Sequence, residues 1–208
     1  MTFYRSKIYV LIFSALVSLP ASADEGMMLE GSVGTSQVTM HSPQDAETEL
    51  SGNTAFLRLH FPLYQSANQF FNLTVSNQFL HSSHEFPDTG QKQILGQSAF
   101  GIGLSYRLSY LIVGAEYQQA TFEQITVGPQ TTENIFYMGN PHFYGGLIYK
   151  FGRLGLGAIY SLKKFDIPTE KSELSSQRPY EEKNILLTIT YHFEGGTGSF
   201  LRSLFSRK

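Results

Sequence analysis

The segment NILLTITYHF, residues 184–193, places an apolar side chain at every second position. Successive side chains of a β-strand leave on opposite faces, so this alternation predicts a strand with one entirely apolar face. That face carries Ile185, Leu187, Ile189, Tyr191 and Phe193. An apolar face must be covered either by a protein core or by lipid, and the choice between them determines what class of protein the chain forms.

The N-terminal residues predict export. Arg5 and Lys7 precede an apolar run from Ile8 to Leu19, and the small residues Ala21, Ser22 and Ala23 follow it. This order is typical of a cleaved secretory signal peptide, and the run is too short for a membrane-spanning helix. We therefore predict a signal peptide at residues 1–23. The chain contains no cysteine, which excludes disulfide bonds and a lipid-anchored cysteine at the mature N-terminus.

Alternation with period two recurs along the mature chain in eight segments of about eleven residues each. The predicted strands are Met28–Thr39, Thr54–Tyr64, Phe70–Leu80, Gln97–Arg107, Tyr110–Ala120, Pro141–Phe151, Leu154–Lys164 and Lys183–Phe193. Short connections alternate with long ones, and the predicted long connections are Met40–Asn53, His81–Gly96, Thr121–Asn140 and Phe165–Glu182. This sorting predicts an all-β fold over residues 24–193, an eight-stranded antiparallel up-and-down transmembrane β-barrel with four long extracellular loops.

The composition of the two strand faces favours lipid over a protein core as the cover of the apolar face. The apolar runs, such as Leu57 and Leu59, carry no charge, whereas the opposite faces carry small or polar residues such as Thr74 and Ser76. A soluble lipocalin-like barrel, the alternative, would instead carry many charges on its wet face. Eleven residues tilted by roughly 40° climb about 28 Å, which is enough to cross an apolar band of about 25 Å. Aromatic residues near both strand ends predict the two interfacial girdles of such a barrel.

The last strand also carries a resemblance. Phe193 as terminal residue, with Tyr191, Ile189, Leu187 and Ile185 at alternate positions before it, resembles the C-terminal signature recognised by the outer-membrane assembly machinery. With the export signal and the loop pattern, the mature chain resembles the small eight-stranded outer-membrane barrels of the OmpA, OmpX and OmpW kind. The resemblance implies a monomer in the cell outer membrane of a Gram-negative bacterium, with lipid, lipopolysaccharide and the barrel assembly machinery as partners.

The signature usually ends the polypeptide, whereas here residues 194–208 follow it. Within this tail, Phe200, Leu201, Leu204 and Phe205 form a narrow apolar stripe on a helix, and basic residues flank them. We predict that the tail is an interfacial helix on the periplasmic side.

Six ionisable residues fall on positions predicted to face the lumen, namely Glu30, Arg58, His60, Glu116, Lys150 and His192. Charge inside a narrow lumen is costly unless it is paired, so we predict a network of salt bridges and hydrogen bonds that plugs the barrel. A gated conduction path is the alternative interpretation, because the same groups could line a pore.

The best candidate for catalysis is HSSHE, residues 81–85. His81 and Ser83 share one strand face, where an imidazole could activate the hydroxyl, and Glu85 continues that face if the strand does. The His-x-Ser spacing weakly resembles that of outer-membrane lipid A deacylases, but their motif lies late in the chain and continues differently. A polar loop with exposed histidines is the competing interpretation.

We therefore predict a non-enzymatic protein with a structural, adhesion or interaction role and an unknown extracellular ligand. The alternatives are a lipid A-modifying hydrolase and a narrow channel for small or apolar solutes. No cofactor or metal site is predicted, because no nucleotide fingerprint or metal-ligand cluster occurs. The formal net charge of −2 does not indicate a nucleic-acid partner.

Overall fold

The computed structural model describes residues 25–41, 47–66, 68–86, 90–127, 131–165 and 180–194. The predicted signal peptide and the tail beyond Glu194 lie outside these residues. The described part is all β, and the bounds of its eight strands are β1 Glu25–His41, β2 Glu47–Ser66, β3 Gln69–Phe86, β4 Gln91–Leu108, β5 Leu111–Val127, β6 Thr131–Phe151, β7 Leu154–Phe165 and β8 Tyr180–Glu194.

Each strand pairs antiparallel with the next along the chain, and β8 pairs with β1 to close a barrel. The predicted fold, an eight-stranded antiparallel up-and-down barrel, is therefore confirmed. The stagger of the closed sheet can be read from the paired residues. A path that starts at Ile112 in β5 and passes through Gly146 in β6 and Gly34 in β1 comes back to β5 at Phe122. This stagger, ten residues from Ile112 to Phe122, tilts the strands. Eight strands leave a lumen just wide enough for side chains to fill.

The short connections agree with the prediction, and two of them are tight turns of two residues each. Residues 109–110 join β4 to β5, and residues 152–153 join β6 to β7. Gly152 adopts a positive φ of 61°, and Ser109 adopts one of 55°. The tight backbone reversal requires this left-handed conformation, which glycine adopts without steric cost.

The prediction of long loops at the other end is wrong for three of the four connections. Residues predicted as Met40–Asn53, His81–Gly96 and Thr121–Asn140 lie mostly in strands, so that β1–β2, β3–β4 and β5–β6 are long hairpins. The antiparallel ladder continues beyond the apolar part of the barrel wall with polar side chains on its surface, and the loss of apolar alternation there was interpreted as a loop. Between β7 and β8, residues 166–179 lie outside the described residues.

The outer surface of the barrel carries a broad apolar belt. Leu187 is 72% exposed, Ile185 66% and Val33 62%, and large apolar side chains of every strand join them. Soluble monomers rarely expose a continuous apolar surface of this extent, because its contact with water is unfavourable.

Two sets of exposed rings border the belt. Tyr64, Phe71, Tyr106, Tyr110, Tyr149 and Phe151 lie towards the short turns, and Phe79, Phe100, Tyr117, Phe143 and Tyr160 lie towards the long hairpins. Phe61, near the short-turn end of β2, is only 8% exposed and lies beside the register shift between Pro62 and Tyr64. Among the described residues, no helix is long and apolar enough to cross a membrane.

Candidate functional site: a filled lumen beneath protruding hairpins

The centre of the lumen is occupied by an ion network that links four strands. We call Glu30, Arg58, His60, Glu116 and His142 the central network; each is buried, with at most 1% of its surface exposed. Arg58 of β2 donates from Nη1 to Glu30 Oε1 of β1 at 2.5 Å. Its Nε donates to Glu116 Oε1 of β5 at 2.8 Å. One guanidinium thus bridges two carboxylates from opposite parts of the barrel wall.

The remaining carboxylate oxygens of the central network also have partners. Glu30 Oε2 lies 3.0 Å from His60 Nε2. Glu116 Oε2 accepts from Ser76 Oγ at 2.9 Å and lies 3.2 Å from His142 Nδ1. Charge-assisted hydrogen bonds of this kind offset the cost of removing the charges from water.

Aromatic rings hold the guanidinium in place. The Cζ atom of Arg58 lies 4.4 Å from the ring centroid of Phe56 and 4.3 Å from that of Tyr144. These distances allow cation–π attraction, which is stronger where water is excluded. The central network is therefore fixed both by ion pairs and by packing.

A second polar group lies further towards the long hairpins, and we call Gln78, Lys163, Glu182 and Asn184 the upper cluster. Lys163 Nζ lies 3.3 Å from Glu182 Oε2 and also donates to Gln78 Oε1. Gln78 and Asn184 each donate to Glu182 Oε1 at 2.6 Å. The single buried carboxylate is thus surrounded by donors from β3, β7 and β8.

Beyond the upper cluster, the interior becomes apolar. A buried set that we call the apolar cap comprises Val38, Met40, Leu50, Leu80, Leu95, Ala99 and Ala120, contributed by β1 to β5. Together with the two polar groups, the apolar cap fills much of the described interior with buried side chains.

The opposite end of the lumen contains a small recess next to Arg107 and His192. Arg107 Nη1 lies 3.2 Å from His192 Nε2, and its guanidinium lies 4.0 Å from the ring centroid of Phe70. The recess has room for about one water molecule.

Alternation along the strands predicted which ionisable residues face the lumen, and the structure brings some of them together but not all. Glu30, Arg58, His60 and Glu116 converge in the central network. His192 is buried but lies beside Arg107 at the short-turn end. Lys150 is exposed rather than enclosed in the lumen.

Four ionisable residues of the interior were missed, namely Arg107, His142, Lys163 and Glu182. The first three lie within predicted strands, at alternate positions whose side chains face the lumen. They are two residues from Ser105, Tyr144 and Ser161 respectively. The same parity rule could have identified them. Glu182 was assigned to a loop because strand eight was predicted to begin one residue later.

The candidate catalytic residues lie within β3, which continues to Phe86, and not in a loop. His81 and Glu85 are exposed on the outward side of the strand, and Ser83, two residues from each, shares that side. Among the described hydrogen bonds, none joins His81, Ser83 and Glu85 to one another. The described residues also contain no group of three or more His, Cys, Asp or Glu side chains placed to hold a metal ion.

Solved structures with the same architecture include Ail, the attachment invasion locus protein of Yersinia pestis, crystallised with the heparin analogue sucrose octasulfate. It has a TM-score of 0.49 and 12% identity, covering 81% of this chain and 99% of that chain. Neisserial surface protein A has a TM-score of 0.45 and 11% identity, covering 81% and 97%. The outer-membrane enzyme PagL has a TM-score of 0.32 and 14% identity, covering 77% and 98%.

No protein-family model matches the chain, and no curated protein matches it. The eight-stranded antiparallel barrel agrees with the fold that the resemblance to small outer-membrane barrels implies, and no subfamily is identified.

Proposed function

We propose that this chain is a non-conducting barrel of the bacterial outer membrane that acts by presenting its long hairpins to molecules outside the cell. The observation that carries the proposal is the buried set of side chains that fills the described part of the interior. Arg58 spans the lumen between Glu30 and Glu116, and the apolar cap closes the end above. These contacts support recognition at the surfaces of the hairpins rather than inside the lumen.

The apolar belt supports the membrane location. Every backbone group of a closed antiparallel barrel finds a partner in the adjacent strand, which is a requirement for crossing hydrocarbon. The two sets of exposed rings border the belt, as the aromatic girdles of membrane barrels do. In barrels of this kind the short turns face the periplasm and the longer hairpins face the exterior.

Current measurement across a planar lipid bilayer tests the closed state. We expect the purified protein to insert without stepwise ohmic conductance, because the central network and the apolar cap leave no continuous water path. A variant with Leu50 and Leu95 changed to serine is the matched control for the apolar cap; we expect it to remain closed through the central network. Regular conductance steps from the wild-type protein would instead support the narrow channel.

A hydrolase acting on lipid A is the second candidate function, because His81, Ser83 and Glu85 share the outward side of β3 beyond Phe79. Mass spectrometry of lipid A from cells that express the wild-type protein or His81→Ala distinguishes this candidate. We expect identical lipid masses, since no hydrogen bond joins the three described side chains. A mass loss of one acyl chain that depends on His81 would establish the hydrolase in place of the proposed function.

A further inference from the structure

The upper cluster brings an amine, an amide and a carboxylate into contact inside the barrel. Lys163 of β7, Gln78 of β3 and Glu182 of β8 are each at most 1% exposed. Lys163 Nζ donates to Gln78 Oε1, so the amine lies against the carbonyl group of the amide. Strands β3 and β7 are not neighbours in the barrel, so this contact crosses the lumen.

The orientation of the Gln78 amide follows from its partners. Its Nε2 donates to Glu182 Oε1 at 2.6 Å and to Thr54 Oγ1 at 2.9 Å. A carboxylate can only accept hydrogen bonds, so the amide nitrogen faces Glu182 and the carbonyl oxygen faces Lys163. The carbonyl carbon of Gln78, Cδ, is therefore presented to the amine.

Glu182 contacts both of the nitrogens between which a proton would move. Its Oε2 lies 3.3 Å from Lys163 Nζ, and its Oε1 accepts from Gln78 Nε2. A carboxylate in this position can take a proton from an attacking amine and give one to a leaving nitrogen. Asn184 donates to Oε1 at 2.6 Å and helps to hold the carboxylate in place.

The surroundings of the three side chains are largely apolar. The ring centroid of Phe56 lies 5.6 Å from Lys163 Nζ, and Leu80, two residues from Gln78, belongs to the apolar cap. Transfer of a proton from Lys163 to Glu182 removes both charges at once and leaves the net charge unchanged. This transfer costs less in a medium that solvates ions poorly than it does in water, and it produces the neutral amine that acts as a nucleophile.

We propose that Lys163 and Gln78 form an isopeptide bond, with Glu182 as the proton shuttle. Nζ, after passing one proton to Glu182, attacks Cδ of Gln78, and the bond from Cδ to Nε2 breaks. A second proton of Nζ reaches Nε2 through Glu182, so that this nitrogen leaves as ammonia. The products are a secondary amide, ammonia and the protonated side chain of Glu182, and the reaction needs no oxidant or cofactor. The fixed contact of amine and amide replaces the encounter of two separate molecules.

The bond would tie together opposite parts of the barrel wall beneath the apolar cap. Gln78 and Lys163 are 85 residues apart in the sequence, so the bond would close a long covalent loop. Such a cross-link restricts the unfolded chain and thereby stabilises the folded one. It would hold the protruding hairpins to the barrel whatever molecule they bind, so it goes beyond the proposed function.

Mass spectrometry of the full-length protein purified from outer membranes tests the proposal. The intact mass of the wild-type protein should be lower than that of its mature sequence by one molecule of ammonia. Trypsin cleaves after arginine and lysine, so the bond should join residues 59–92, which contain Gln78, to residues 154–164, which contain Lys163. Tandem mass spectrometry identifies this branched fragment.

Three variants separate the proposed chemistry from other losses of ammonia. Lys163→Arg keeps the positive charge but has no primary amine, and Glu182→Gln keeps a polar side chain that cannot shuttle a proton. Lys164→Arg changes the next residue, which is 60% exposed, and is the matched control. We expect the mass loss and the branched fragment in the wild-type protein and in Lys164→Arg, and neither in the other two variants.

The mass of the wild-type protein decides the question even where a variant fails to fold. Full sequence mass with only linear fragments would overturn the proposal. Loss of ammonia without the branched fragment would place the loss elsewhere in the chain and would also overturn it, and a branched fragment in Glu182→Gln would overturn the role of Glu182. After boiling in sodium dodecyl sulfate, the wild-type protein should migrate faster than Lys163→Arg, because the closed loop keeps its unfolded chain more compact.

Discussion

At the residue scale, the interior depends on the pairing of Arg58. The guanidinium, Glu30 and Glu116 are all fully buried, so removing one partner leaves the others charged in a medium that solvates them poorly. An exposed pair behaves differently: Lys164 lies 3.0 Å from Glu181 but is 60% exposed, so water screens the interaction. These two ion pairs therefore provide a matched comparison.

We expect Arg58→Ala to lower the free energy of unfolding by about 3–5 kcal/mol, because two buried carboxylates lose their cation. Lys164→Ala should cost at most about 1 kcal/mol. Urea titration of the protein in lipid vesicles measures both changes. Unfolding is followed by far-ultraviolet circular dichroism, because the chain contains no tryptophan for fluorescence. Adding Glu30→Gln and Glu116→Gln to Arg58→Ala should restore part of the loss. Equal effects of Arg58→Ala and Lys164→Ala would contradict the assigned role of the central network.

The alternation of side chains along the strands was enough to predict that Glu30, Arg58 and Glu116 face the lumen. It was not enough to predict that they contact one another. Contact across the lumen depends on the relative heights of β1, β2 and β5, which the stagger of the closed sheet determines. The local alternation contains no information on that stagger. For the same reason, His192 could not be distinguished from the central network, although it lies next to Arg107 instead.

At the element scale, the strands were predicted reliably where one face is apolar and poorly where both faces are polar. Beyond Phe79 in β3, the side chains of His81, Ser82 and Ser83 no longer alternate in polarity, yet the ladder with β4 continues to Phe86. Backbone hydrogen bonding and the buried side chains of the apolar cap, such as Leu50 and Leu95, sustain these extensions, and the period-two rule does not detect them because most of the neighbouring residues are polar. The short turns were clearer, because each follows directly on an apolar strand.

Glycines in the wall test the packing of one strand against its neighbour. A Cβ atom added at Gly103 in β4 would collide with the backbone of β5 at Ala115 and Glu116, whereas one added at Gly31 in β1 would meet no atom within 4 Å. We expect Gly103→Ala to reduce stability by about 1–3 kcal/mol through overpacking. Gly31→Ala should change it by no more than about 0.5 kcal/mol. The midpoints of urea unfolding in lipid vesicles measure both changes. Similar midpoints for the two variants would argue against the close approach of β4 and β5.

The last strand is expected to matter for assembly as well as for stability. The rings of Tyr191 and Phe193 lie 4.9 Å apart, centroid to centroid, on the outward side of β8 at the short-turn end. We expect Tyr191→Ala with Phe193→Ala to lower the amount of folded protein in the outer membrane, because these residues are part of the predicted C-terminal assembly signature. Phe143→Ala with Tyr160→Ala removes two rings from the other set and is the control. Quantitative blotting of membrane fractions measures both, and equal levels would remove the support for an assembly signature.

At the scale of the whole molecule, closure distinguishes this sheet from an open one. The pairing of β1 with β8 runs from Glu25 opposite Glu194 to Met40 opposite Tyr180, so the two terminal strands seal the barrel along nearly their full length. Within the belt no edge remains from which unfolding could begin strand by strand. The interior ion pairs add contacts between strands that are distant in sequence, such as Arg58 of β2 with Glu116 of β5.

Such a molecule should be heat-modifiable. Because every strand within the belt is paired on both sides, detergent at room temperature should leave the barrel folded, and boiling should supply the energy to unfold it. We expect unheated samples in sodium dodecyl sulfate to migrate differently from boiled ones on a gel, with both forms recovered from the outer-membrane fraction. The Arg58→Ala variant should convert to the unfolded, boiled form at a lower temperature than the wild-type protein, since its folded state lacks the central ion pairs. Recovery of the mature protein in the soluble periplasm, or identical migration before and after boiling, would contradict a closed membrane barrel.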